Sequence, residues 1–266
     1  MEENLEDKIR KAERIVVKYG SDTVIDETGS PSYQRLKDWA KTIRDYPDKE
    51  FVIASSGAIP AGREKAKKFG FDPSKNPQDL ATKQYFASIG QSELMRAYDY
   101  TFSQQGILVS QILLDNNNFT NSIQRQNLYS TLQRTLQNGT LPIINENDTV
   151  STEEIQFGDN DHLAALTARK LNADLLILMT KEDGIYEDME SRKVIPFIGD
   201  ERYARTLVDD TAISTNGTGG MTSKINSAAT FGGLTIIANG REYSSLRKTL
   251  EGENIGTRLY FGANSK

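Results

Sequence analysis

Arg14-Ile15-Val16-Val17-Lys18 (RIVVK), stopped by Gly20, and Phe51-Val52-Ile53-Ala54 (FVIA), ending in Ser55-Ser56-Gly57, decide the fold. Each is a short β-branched or apolar run bounded by turn residues, the pattern of a strand buried on both faces. Between them Leu36, Trp39, Ala40 and Ile43 fall at i, i+3, i+4 and i+7, a single apolar stripe on a helix. Strand, helix, strand is the unit from which parallel sheets are assembled.

The same rhythm extends outward. Leu5, Ile9 and Ala12 predict a short helix within residues 4–14, ahead of the first strand. Leu94, Tyr98 and Phe102 mark a helix, Ile107–Leu114 a strand, and Leu128, Leu132 and Leu136 another helix. Leu141–Ile144 is a strand ending in Asn145-Glu146-Asn147-Asp148, followed by a polar, hairpin-like stretch over Thr149–Phe157. A helix from about Asp159 to Leu171, a strand at Leu175–Met179, a helix marked by Met221, Ile225 and Ala229, and a strand at Leu234–Ala238 follow. Leu259–Phe261 reads as a closing strand, and residues 70–78, which hold Pro73 and Pro77, as a surface loop. This alternation predicts one α/β domain with a largely parallel central sheet.

Composition narrows the function classes. The 266 residues are 37% hydrophobic and 26% charged with only 7 Pro, which excludes a low-complexity or collagen-like chain. A net charge of −5, with no dense run of Lys and Arg, gives no attraction to a phosphodiester backbone, so no nucleic-acid partner is expected. The absence of Cys excludes disulfides, thiolate metal clusters and a cysteine nucleophile, and the single His162 excludes a multi-histidine metal site. Apolar runs such as Leu175–Met179 fall far short of the roughly 20 residues that span a bilayer, so no membrane partner is expected. The charged start MEENLEDKIRKAER lacks the apolar region of a signal peptide, and a cytoplasmic location follows by elimination.

Polar groups gather at the carboxyl ends of the predicted strands: Lys18, Gly20 and Ser21; Ser55, Ser56 and Gly57; Asn145 and Asp148; Thr180. Ligands of open parallel sheets bind outside those ends, although any single turn there is commonly polar. Gly217-Thr218-Gly219-Gly220 leads into a helix bearing Lys224. Glycines, a helix N-terminus and a lysine together suit a phosphoryl group, and a plain glycine-rich cap with a solvated lysine fits the spacing equally well. Gly158-Asp159-Asn160-Asp161 opens another helix. Asp159 is there either an N-cap followed by a second acid, or a group that orients lysines around a phosphate while Asn160 binds a polar substrate.

Eight stretches occur in a fixed order over nearly the whole chain: VVKYGS (Val16–Ser21), SSGAIPAGR (Ser55–Arg63), ATKQYFASIGQSELM (Ala81–Met95), PIINENDTV (Pro142–Val150), FGDND (Phe157–Asp161), DGIY (Asp183–Tyr186), GTGGMTSK (Gly217–Lys224) and IIANGRE (Ile236–Glu242). Together they resemble the amino-acid kinase family. INENDTV followed closely by FGDND is similar to the branch that acts on glutamate.

The resemblance implies a three-layer α/β/α sandwich, a single amino-acid kinase domain with a glutamate-binding lobe over residues 1–160 and a nucleotide-binding lobe over 161–266. It implies transfer of the ATP γ-phosphoryl to the side-chain carboxylate of L-glutamate, the first step of proline biosynthesis, with Mg²⁺ on the ATP phosphates. Such a transfer asks the protein for positioning and charge neutralisation, and a carboxylate already ionised at pH 7 needs no general base. By the same resemblance Lys18 and Lys224 flank the transferring group and Asp159 fixes the lysines. Ser56, Gly57, Asn145, Asp148, Asn160 and Asp161 bind the acceptor. Lys18, Gly20, Ser21, Thr180, Thr218, Gly219, Gly220, Met221, Thr222, Ser223 and Lys224 bind the nucleotide, and no protein side chain is assigned to the metal.

Further implications are L-proline as a feedback inhibitor acting at the loop near residues 58–80, a homodimer or tetramer, and a transient complex with glutamyl phosphate reductase. The Ala81–Phe102 region is a candidate interface or simply core. The chain is expected to be a short form without the C-terminal PUA domain. Asp22 and Lys181 depart from the family pattern. Two other readings stay open: a non-catalytic amino-acid-binding regulator, and a kinase of the same superfamily with another small acceptor.

Overall fold

The structure is a computed structural model that describes residues 4–73, 79–150, 160–188, 190–208 and 220–261. Its strands are β1 (Arg14–Tyr19), β2 (Glu50–Ser55), β3 (Val109–Leu114), β4 (Leu141–Glu146), β5 (Leu175–Thr180), β6 (Phe197–Ile198), β7 (Leu234–Asn239) and β8 (Thr257–Leu259). The helices are α1 (Leu5–Lys11), α2 (Ser21–Val24), α3 (Tyr33–Arg44), α4 (Ala58–Lys68), α5 (Leu80–Ser103), α6 (Asn117–Thr120), α7 (Ser122–Gln137), α8 (Asn160–Leu171), α9 (Glu201–Thr206), α10 (Met221–Phe231) and α11 (Ser245–Leu250).

The strands form one sheet in the order β3-β4-β2-β1-β5-β7-β8-β6. Pairing is parallel from β3 to β7, and only the β7–β8 pair is antiparallel. Alternate residues of β1 point to opposite faces: Ile15, Val17 and Tyr19 join one buried cluster, and Val16 joins the other. The first cluster is covered by Ile9 of α1, Leu36 and Trp39 of α3, Ala61 of α4, Leu94 and Tyr98 of α5 and Leu246 of α11. The second is covered by Leu128 and Leu132 of α7, Leu163 and Ala164 of α8 and Ile225 and Ala228 of α10. Helices thus cover both faces of the sheet, giving three layers. Each leucine and isoleucine among them contributes about 1.5–3 kcal/mol when fully buried.

Connections that step from β1 toward the β3 edge use α3, α4 and α5 on one face, and those that step back use α7, α8 and α10 on the other. A single crossover hand demands this segregation. The chain leaves β1 and β5, which are adjacent, toward opposite sides and opposite faces. Their carboxyl ends therefore flank a switch point, where a crevice opens. The 160/161 boundary between the two expected lobes falls at the start of α8, and the β1–β5 pairing joins both parts in one sheet.

Several expectations from the sequence are corrected. Residues 58–68, read as part of a loop, are helix α4. The helix marked by Leu94, Tyr98 and Phe102 begins at Leu80, where the Asp79 side chain accepts from the Thr82 N–H as an N-cap. The strand expected from Ile107 starts at Val109, and the closing strand is Thr257–Leu259 rather than Leu259–Phe261. Most of the Thr149–Phe157 stretch and of the loop at 70–78 lies outside the described residues. No described helix is long and apolar enough to cross a membrane.

Helices α4 and α5 meet without side chains between them. A Cβ on Gly62 would lie 1.8 Å from the Phe86 carbonyl oxygen, and one on Gly90 1.7 Å from that of Ala58. Only glycine at both positions allows the two backbones to touch. The contact fixes Ala58, and with it the Ser55-Ser56-Gly57 turn, against the middle of α5.

Candidate active site

Two neighbouring residues at the start of α8 build the site. Asp161 lies under the sheet face that carries Val16, because Leu163, Ala164 and Ala168 of the same helix pack there. Lys18 is two residues beyond Val16 and projects from the same face of β1. Its Nζ is 2.6 Å from Asp161 Oδ1. Lys224, in the first turn of α10, places its Nζ 2.8 Å from Asp161 Oδ2. All three are buried, with relative exposures of 4% for Lys18, 0% for Asp161 and 5% for Lys224.

One carboxylate therefore holds two ammonium groups, one per oxygen. Two lysines alone would repel each other in this dry place, and the intervening anion offsets that repulsion while leaving a net positive charge. Such a centre can receive the oxygens of a phosphoryl group. The acid that meets both lysines is Asp161, for which acceptor binding was expected; Asp159, expected in that role, lies outside the described residues.

Asn160 faces the other way, and its Nδ2 donates to the Ser55 carbonyl (3.0 Å), Ser56 Oγ (2.9 Å) and Asn145 Oδ1 (2.8 Å). Asn145 Oδ1 also accepts from the Glu146 backbone N–H at 2.9 Å, and Asn145 Nδ2 donates to Gln91 Oε1 at 2.8 Å. Three amides thus run in a line from α8 through β4 to α5. Tyr98 extends the frame, its hydroxyl donating to Ser55 Oγ at 3.0 Å. Two polar atoms in this line are buried without a hydrogen-bond partner, Asn160 Oδ1 and Gln91 Nε2.

A small cleft opens beside the line, bordered by Ala58, Ala87, Gln91, Leu113, Glu146, Asn147, Asp148 and Thr149. Asp148 is raised to about 7, first by burial and then by the nearby Glu146 carboxylate. A cationic group entering the cleft would draw Asp148 back to its ionised form.

The remaining expected residues distribute as follows. Gly20 donates its N–H to the Met179 carbonyl at 3.2 Å across the β1–β5 switch point, and Ser21 starts α2. Ser56 donates its N–H to the Tyr19 carbonyl, and Gly57, at φ +106°, turns the chain into α4. Thr180 ends β5, its carbonyl accepting from the Gly240 N–H at 2.8 Å. Gly220 caps α10, and Met221, Thr222, Ser223 and Lys224 form its first turn. Thr218 and Gly219 lie outside the described residues. Asp22 lies in α2 with its carbonyl bound by Arg241 Nε at 2.8 Å, and Lys181 is exposed just past β5. His162 lies on α8 beside Asp161.

The sequence reading gave Gln91 and Glu146 no role. A signal for Gln91 exists: Ala87, Gln91, Leu94 and Tyr98 fall at i, i+4, i+7 and i+11, all buried, so a polar residue interrupts an apolar stripe. Glu146 carries no comparable mark, because the turn after β4 is polar throughout.

Comparison with known proteins bears on the same residues. The model of the amino acid kinase family matches residues 13–232. A protein of Alkaliphilus metalliredigens named glutamate 5-kinase is 39% identical over 97% of this chain and 99% of its own length. Glutamate 5-kinases of Azoarcus sp. and Marinomonas sp. are 38% and 36% identical, each over 96% of this chain and over 70% and 69% of their own lengths.

Proposed function

The chain belongs to the amino acid kinase family, and from that premise we propose that it phosphorylates the side-chain carboxylate of L-glutamate with ATP. The observation that carries this reading is the buried Lys18–Asp161–Lys224 group at the switch point, with Asn160, the neighbour of Asp161 on α8, tied through Asn145 to Gln91 at the border of a small cleft.

An oxygen of the glutamate side-chain carboxylate attacks the γ-phosphorus, the bond from that phosphorus to the β,γ-bridging oxygen breaks, and L-glutamyl 5-phosphate and ADP leave. The nucleophile is already an anion, so no proton has to be removed. What has to be managed is negative charge spread over the transferring group, and Lys18 and Lys224 stand on either side of one carboxylate to receive it. Asp161 keeps both ammonium groups aimed before substrate arrives, so little reorganisation is needed during transfer. The first turn of α10 adds backbone N–H groups and its dipole beside Lys224.

Mg²⁺ enters as part of the nucleotide substrate, bound to its phosphates, as is usual for kinases. On the acceptor side Asp148 and Glu146 offer negative charge to the α-ammonium. The reading also takes in a cytoplasmic location, a homodimer or tetramer, L-proline as inhibitor and hand-over of the labile acyl phosphate to a reductase; family resemblance alone supports these.

Purified protein with glutamate, ATP and Mg²⁺ should give γ-glutamyl hydroxamate when hydroxylamine traps the product. Lys224→Ala should reduce that yield on the order of 10²–10³-fold. Wild-type yield no higher than the variant's would overturn the reading.

A further inference from the structure

We propose that Gln91 determines acceptor specificity by donating its Nε2–H to the α-carboxylate of the substrate. The inference rests on the reading above, that L-glutamate is the acceptor, and deepens it.

Side-chain amides are ambiguous about which end is oxygen, but two backbone groups remove the ambiguity here. The Ser55 carbonyl can only accept, so Asn160 must present Nδ2 to it. The Glu146 N–H can only donate, so Asn145 must present Oδ1 to it. Both constraints agree at the Asn160 Nδ2 to Asn145 Oδ1 bond. Asn145 Nδ2 is then left to donate, Gln91 must accept through Oε1, and Gln91 Nε2 is the end turned away from the relay.

That atom is buried without a partner, on a residue only 9% exposed. A buried N–H left without a hydrogen bond is costly, so an acceptor supplied by a ligand would be favoured there. Gln91 borders the cleft that Asp148 and Glu146 also border. Two acids and one amide donor around a small cleft match an ammonium beside a carboxylate, the head group of an α-amino acid. The phosphoacceptor end of the same substrate is then directed to the lysines. Gly90 makes the placement firm: with its Cα pressed on the Ala58 carbonyl, the next residue of α5 has no room to slide.

Gln91→Glu keeps an oxygen for Asn145 Nδ2 and removes the outward amide donor; Gln91→Met removes both with little change of volume. Both should raise KM for glutamate roughly ten- to a hundredfold, the worth of a hydrogen bond to a charged group, with KM for ATP within about twofold. The decisive measurement is kcat/KM by ADP release for glutamate and for 4-aminobutanoate, which keeps the ammonium and acceptor carboxylate but lacks the α-carboxylate. In Gln91→Met the preference for glutamate should shrink by about that same ten- to a hundredfold.

Equal losses for both acceptors would make Gln91 a mere prop for Asn145 and overturn the proposal. Glutamate KM within twofold of wild type in Gln91→Glu would overturn it as well. Wild-type protein with no glutamate-dependent ADP release would instead overturn the kinase reading, and calorimetric titration of glutamate into wild type and Gln91→Glu would still decide the contact by the presence or absence of the affinity loss.

Discussion

The Lys18–Asp161–Lys224 group and the Asn160–Asn145–Gln91 relay are two ways of burying polarity a few residues apart. The first uses three full charges and is indifferent to the fine direction of its partner, as suits a phosphoryl group whose oxygens are equivalent. The second uses neutral amides, each of which can only donate at one end and accept at the other. It carries little charge and a great deal of direction, as suits a substrate with distinct ends. The difference teaches that binding strength for phosphate and discrimination among acceptors are separate properties here, supplied by separate chemistries.

The largest expected effect comes from Asp161→Asn. The substitution preserves shape and leaves two buried ammonium groups without their anion. Stability should fall by about 3–5 kcal/mol in a urea titration, and kcat by on the order of 10²–10³. A kcat within threefold of wild type would mean that the charged centre is scaffolding, and the contrast with the amide relay would be lost.

A smaller effect lies in pH. Asp148 is held up to about 7, so below that value its carboxyl is protonated and cannot pair with an ammonium. KM for glutamate should fall about tenfold between pH 6 and pH 8, and Asp148→Asn should flatten that dependence. The sign for stability is opposite: an acid raised above its unfolded value contributes stability at low pH that is lost as pH climbs from about 4 through 7. Glutamate should relieve part of that loss, visible as a ligand-induced rise in melting temperature that is larger at pH 8 than at pH 6. A KM independent of pH over this range would remove Asp148 from the acceptor side.

The smallest effect belongs to an exposed pair that is part of neither group. Lys193 Nζ lies 2.7 Å from Glu187 Oε2 in solvent. Lys193→Ala should leave the urea midpoint and both KM values unaltered. A lowered midpoint would show that simple charge proximity, not burial, sets these energies.

The sheet was legible because its strands are buried on both faces and stand out as apolar runs. β1, β2, β4, β5 and β7 all fall where such runs occur. Helix α4 was not, since Pro60 and Gly62 look like breakers. Pro60 stands in the first turn, where its missing N–H costs nothing, and Gly62 is demanded by α5, a neighbour invisible in local sequence. Lys18 and Lys224 were legible as basic residues at a strand end and a helix start. That Asp161 meets them was not, because its position depends on how α8 is rotated when Leu163 and Ala164 dock. Gln91 needed the tertiary contact with Asn145 to acquire meaning.

Asn160 and Asp161 are consecutive, so the peptide between them belongs to both substrates' surroundings at once. Any drift of α8 that widened the pocket for a longer diacid would drag the phosphate clamp with it. Descendants of such a chain are thus free to change their diet only from the α5 side, where an exchange leaves the transfer machinery untouched. The helix start acts as a shared hinge pin that evolution cannot move for one client alone.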